Sequence, residues 1–135
     1  MALDYGDART GVAVSDESAS LAGEVWVIQE KNQRTLAATI AAEASSRGVT
    51  TIVVGYPKNM DGTVGPSAQK SERLAEHIKG LCDIGVVLWD ERMTTISANR
   101  ILTDTGRYGR KRRNTVDAVA ASVILESYLQ AQGAE

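Results

Sequence analysis

Four carboxylates stand where apolar runs of this chain give out: Asp4, the adjacent pair Asp90 and Glu91, and Asp117. Asp4 closes a short N-terminal apolar run and is followed by a turn from Gly6 to Gly11 and a β-patterned return through Val12, Ala13 and Val14. A charge at that position costs desolvation energy, which a bound cation would offset. Asp90 and Glu91 end the apolar run Val86 to Trp89 in the same way. Asp117 precedes Ala120, Ala121 and Ile124 by three, four and seven residues, which sets it on a small-residue apolar helix face. Carboxylates on three separate elements can converge on a divalent ion, and all-oxygen ligation favours Mg2+ or Mn2+ over zinc. Two such ions roughly 3.5 to 4 Å apart would suit an in-line phosphoryl displacement, one activating water and the other stabilising the leaving oxygen.

Each position also has a purely structural reading. Asp4 would accept hydrogen bonds from the turn amides. Asp90 or Glu91 would pair with Arg92 or cap the next helix. With Asn114 as N-cap, Asp117 falls at the third helical position, where a carboxylate closes a capping box. Spacing alone does not choose between these readings.

A net charge of -2 conceals a local excess of positive charge, because Arg107, Arg110, Lys111, Arg112 and Arg113 crowd into one short stretch. Such a run binds polyanions through counterion release, although charge runs are more often solvated loops. The 135 residues suffice for one domain with a core, residues 1–135. A hydrophobic fraction of 43% and a charged fraction of 24% are globular values. No run is long and apolar enough to span a bilayer and no secretory leader precedes Asp4, so the expectation is a soluble cytoplasmic protein with no membrane partner. Cys82 and His77 are the sole residues of their types, which excludes disulfide frameworks and Cys/His zinc sites. His77, beside Glu76 and Lys79, is expected at the solvent surface.

The elements that would carry these groups follow in order. After the hairpin, Glu24 to Gln29 reads as a third strand. Asn32 caps a helix to about Arg47, with Leu36, Ile40 and Ala44 on one face and Gly48 as its stop. Thr50 to Gly55 reads as a strand buried on both faces. A loop from Tyr56 to Pro66 leads to a helix over about 67–81 with Leu74, Ala75 and Ile78 inward. Gly85 to Trp89 reads as a second buried strand. A helix from Thr94 or Thr95 carries Ile96, Ala98, Ile101 and Leu102 and stops at Gly106. The last helix opens at Asn114 or Thr115 and runs to about Gln130, with Val116, Val119, Val123 and Ser127 along one stripe. This order predicts an α/β fold with a mixed sheet, its chemistry at the strand ends where connections diverge.

The segments LDYGDARTGVAVSD, VVGYPKNMDGTVGPSAQKSERLAEHI, DERMTT and NTVDAVAASVILESYL resemble, in order and over nearly the whole chain, the YqgF/RuvX family. That family is described both as Holliday junction resolvases and as pre-16S rRNA nucleases, within the RNase H-like superfamily. The resemblance implies a five-stranded mixed sheet flanked by helices, and a Mg2+- or Mn2+-dependent nuclease site with acids on the first strand, after the fourth strand and on the last helix. Asp4 and Asp117 match the first and last of these. The middle one falls on Asp90 or Glu91, with Glu91 preferred because RNase H-like enzymes commonly carry glutamate there. The two point to opposite faces of a continuing strand, so one alone should join Asp4. Family members have a longer first strand, which implies a start further upstream.

Conditional roles follow. The basic run at 107–113 precedes the helix of Asp117, and with Arg9, Lys58, Asn59 and Arg92 it supplies candidate phosphate contacts. Gly6 and Gly11 serve the turn and leave room near the metal. Tyr5 and Tyr56 are candidates for base stacking, whereas Trp26 and Trp89 suit the core. The expected substrate is precursor rRNA, with four-way DNA as the alternative and a non-catalytic nucleic-acid binding module as a third reading. A junction resolvase would need a homodimer, whereas RNA processing would allow a monomer. An ATP-binding domain of the actin and sugar-kinase type shares the Asp-x-Gly turn, but it needs a second domain and the chain has no GxxxxGK loop.

Overall fold

Because successive strand residues point to opposite faces, a strand apolar at both parities must be covered on both sides, and the layers here follow from that rule. The computed structural model describes residues 1–15, 22–59, 61–90 and 109–133. Its strands are β1 (Ala2–Asp4), β2 (Arg9–Ser15), β3 (Ala22–Gln29), β4 (Thr51–Tyr56) and β5 (Gly85–Asp90). Its helices are α1 (Gln33–Ser46), α2 (Pro66–Lys79) and α3 (Gly109–Gly133). The described strands form one five-stranded sheet in the order β3-β2-β1-β4-β5. β1 pairs antiparallel with β2, and β2 with β3, while β1, β4 and β5 run parallel.

One face belongs to α1 and α2. Leu3, Val12, Ile52 and Val54 of the sheet pack there against Leu36, Ile40, Leu74 and Ile78, all but fully buried. Each such side chain contributes about 1.5–3 kcal/mol. The opposite face belongs to α3, where Ala2, Ala13 and Val53 meet Ala121, Ile124 and Leu125. Small residues on the sheet side let that helix lie close.

The local signals for α1 hold. The Asn32 side chain accepts a hydrogen bond from the Thr35 amide at 3.0 Å, and Gly48 takes a left-handed φ of 69° just beyond the helix. Pro66 occupies the first turn of α2, where its missing N–H loses nothing.

Three expectations change. β5 is an edge strand rather than a buried one, with Leu88 38% exposed. α3 begins at Gly109, ahead of the expected Asn114, and takes in Arg110, Lys111, Arg112 and Arg113. Its buried face is wider than the expected stripe, taking in Ala121, Ile124 and Leu125 beside Val123. The expected helix from Thr94 to Gly106 lies outside the described residues. No helix among the described residues is long and apolar enough to cross a membrane.

Candidate active site

Strand alternation decides which carboxylates can meet. Ala2 packs under α3, so Asp4, two residues on, faces the same side. Its register partner on β2 is Gly11. On its other flank, the pairing of Leu3 with Val54 brings Gly55 of β4 alongside, and Gly55 in turn pairs with Trp89 of β5. Asp4 therefore stands half-buried between two positions that carry no side chain, at the carboxyl ends of three parallel strands. Both glycines are buried, and a glycine inside a strand often marks a close approach of another group to the backbone. In the sequence Gly55 reads only as the end of an apolar strand; a glycine between Val54 and Tyr56 is the available signal.

Trp89 lies on the α3 side, with its indole N–H donating to Ser127 Oγ at 3.2 Å and its ring edge-on to Tyr128 at 5.4 Å between centroids. Asp90 consequently lies on the opposite face, paired in register with Tyr56. Glu91, Arg92 and Arg107 lie outside the described residues. Asp117 sits in the interior of α3, four residues before Ala121 and seven before Ile124, both on the seam with the sheet. The earlier start of the helix removes the capping-box reading, because Asn114 is helical rather than a cap. Among the described residues no three His, Cys, Asp or Glu groups gather as a metal site.

The remaining candidates fall into two groups. Arg9 shares the parity of Gly11 and Ala13 and is half-buried, which places it on the Asp4 side of the sheet. Arg110, Lys111, Arg112 and Arg113 lie in the first turns of α3, whose first turn holds no acidic residue and whose positive helix end opposes their charge. Lys58 and Asn59 follow β4. The Lys58 ammonium lies 5.5 Å from the centre of the Tyr56 ring. Asn59 is occupied within its own loop, where its amide donates to Thr63 Oγ1 at 2.8 Å and its N–H to the Thr63 carbonyl at 2.9 Å.

The turn after Asp4 is held from outside the site. Lys70 of α2 pairs with Asp7 at 2.9 Å, and a Cβ at Gly6 would collide with the Arg9 carbonyl oxygen. Tyr5 and Trp26 pack against the α1/α2 cluster and Trp89 against the α3 cluster, so both tryptophans serve the core as expected. His77 is half-buried beside Leu88 rather than at open surface.

A mixed sheet in this order, with helices on both faces and an acid ending its first strand, defines the chain as an RNase H-like α/β protein. The solved structure of Thermus thermophilus RuvC matches it with a TM-score of 0.52, covering 96% of this chain and 94% of that one at 14% identity. The family described as RuvX: Holliday junction resolvase matches residues 1–131, and the chain belongs to that family. A relative from Thermoanaerobacter pseudethanolicus is 41% identical over 133 residues, spanning 98% of this chain and 96% of its own. One from Geobacillus thermodenitrificans is 43% identical over 134 residues, spanning 98% and 97%. Both carry the provisional name pre-16S rRNA nuclease.

Proposed function

We propose that the chain is a divalent-metal-dependent nuclease that hydrolyses phosphodiester bonds of precursor 16S rRNA, with Asp4, Glu91 and Asp117 as the metal ligands. The observation that carries this reading is the setting of Asp4, a half-buried carboxylate between Gly11 and Gly55 on the face that α3 covers. The donor set fits Mg2+ or Mn2+, since every candidate ligand is a carboxylate. When bound, the ion supplies charge neutralisation at the scissile phosphate and acidifies a water.

The chain's own groups do the rest. Asp4 fixes the site to the rigid sheet. Glu91 is the middle ligand because it continues the Val87–Trp89 parity in sequence, whereas Asp90 belongs to the opposite face. Asp117, no longer explained by capping, sits one turn before the α3 seam. Arg9 and the basic first turns of α3 bind phosphates on either side of the cleavage point, and Lys58 does so from the loop after β4. Cations at a helix N-terminus each cost about 0.3–1 kcal/mol, a cost that a bound polyanion removes.

The test is cleavage of labelled precursor 16S rRNA and of a four-way DNA junction, with and without Mn2+, by the parent chain and by Asp4→Asn. Mn2+-dependent cutting of the RNA that Asp4→Asn abolishes supports the reading. Preferential cutting of the junction transfers the same site to DNA, and full activity of Asp4→Asn removes Asp4 from the mechanism.

A further inference from the structure

We propose that Tyr56 and Lys58 form a subsite for the nucleotide next to the scissile phosphate, the Tyr56 ring stacking on its base and the Lys58 ammonium binding its phosphate. The inference rests on the nuclease reading and deepens it, joining the phosphate role given there to Lys58 with a base-stacking role for Tyr56.

β4 carries Gly55 alongside Asp4, and Tyr56 is the next residue toward the rim. The chain then leaves the sheet through Pro57. Its fixed φ suits a three-residue turn, which the Lys58 N–H closes on the Tyr56 carbonyl at 2.9 Å. That turn folds Lys58 back so that its ammonium sits 5.5 Å from the ring centre. At the far end of the ring the Tyr56 hydroxyl donates to Glu72 Oε1 at 2.6 Å, which fixes the ring plane. Glu72 also raises the Tyr56 pKa, so the hydroxyl stays protonated and the tether intact through the neutral range.

Tyr56 is not packed like a core aromatic. Tyr5, one strand away on the same face, joins the α1/α2 cluster, whereas Tyr56 belongs to neither cluster and is half-exposed. A ring held at both ends, left open and carrying a cation at its lip is a receptor for a flat group bearing a negative charge. A single-stranded nucleotide is such a group, since stacking tolerates any base and the ammonium exchanges the ring for a phosphate. A strand whose phosphate lies at Asp4 reaches this ring by crossing the rim from Gly55 to Tyr56.

The experiment measures binding of fluorescent single-stranded RNA to the full chain in EDTA, where nothing is cleaved, with each nucleotide in turn made abasic. One abasic position should weaken binding by the parent chain about tenfold. Tyr56→Leu should bind the intact strand as weakly and ignore that abasic position, while Tyr56→Phe keeps the sensitivity. Lys58→Gln should lower the slope of log affinity against log salt by about one. Independent losses from Tyr56→Leu and the abasic position, or unchanged affinity of a folded Tyr56→Leu, overturn the subsite. Absence of binding by the parent chain overturns the nuclease reading as well, whereas binding and cleavage indifferent to Tyr56 overturn the subsite alone.

Discussion

One of the contacts that seat α3 lies at the edge of the sheet, and replacing Trp89 by Phe with and without Ser127→Ala measures it. The indole N–H to Ser127 Oγ bond at 3.2 Å is partly buried, and such a bond contributes about 0.5–1.5 kcal/mol net. The edge-to-face contact with Tyr128 adds about 0.5–1.5 kcal/mol, and Phe retains most of it. Trp89→Phe should therefore cost about 1–2 kcal/mol, and Ser127→Ala about 1 kcal/mol because the indole donor loses its partner. The double variant should lose less than the sum, with a coupling near 1 kcal/mol. In urea, with a slope of about 2 kcal/mol/M for a chain of this size, each 1 kcal/mol moves the midpoint by about 0.5 M. A coupling under about 0.3 kcal/mol, with slopes unchanged, would refute the claim that this bond helps seat the helix carrying Asp117.

Adding a side chain beside Asp4 with Gly55→Val should reduce Mn2+ affinity by calorimetry at least tenfold while costing about 1–3 kcal/mol of stability through overpacking; unchanged Mn2+ affinity would show that the space beside Asp4 is not used. Gly6→Ala drives a methyl into the Arg9 carbonyl, so denaturation should show a loss of about 1–3 kcal/mol. On the acid side, hydrogen bonding to Arg47 at 2.6 Å holds the Glu24 carboxyl below its ordinary value. That contribution is present above the unfolded value of about 4.3 and is lost as pH falls through the folded one. Glu24→Gln should thus melt lower than the parent chain at pH 7, by a difference that shrinks as pH falls below the ordinary carboxyl range, and a constant difference would argue against the pair.

Much of the scaffold was legible because its signals are local. Asn32 and Gly48 bound α1 through side-chain and backbone chemistry that needs no tertiary context, and the apolar run at 52–54 could only be a strand covered twice. The run at 86–89 looks the same in sequence, yet β5 is at the edge, because burial there depends on which neighbour the crossover delivers. The start of α3 was misplaced for a related reason. Asn114 and Thr115 are good caps, and four cations in front of them oppose the helix dipole, but both sit inside a longer helix. Asp4 was readable as a charge ending an apolar strand. Gly55 was not, since its meaning comes from the register that sets it beside Asp4.

Whether Asp4, Glu91 and Asp117 share a metal ion, as proposed, is read without any substrate by a Mn2+ titration followed by electron paramagnetic resonance. The parent chain should quench the free-ion signal in proportion to its concentration. Asp4→Asn, Glu91→Gln and Asp117→Asn should each lose that quenching while retaining the parent circular dichroism, and Asp90→Asn should keep it. Undiminished Mn2+ uptake by the three folded variants, or loss in Asp90→Asn alone, would contradict the account.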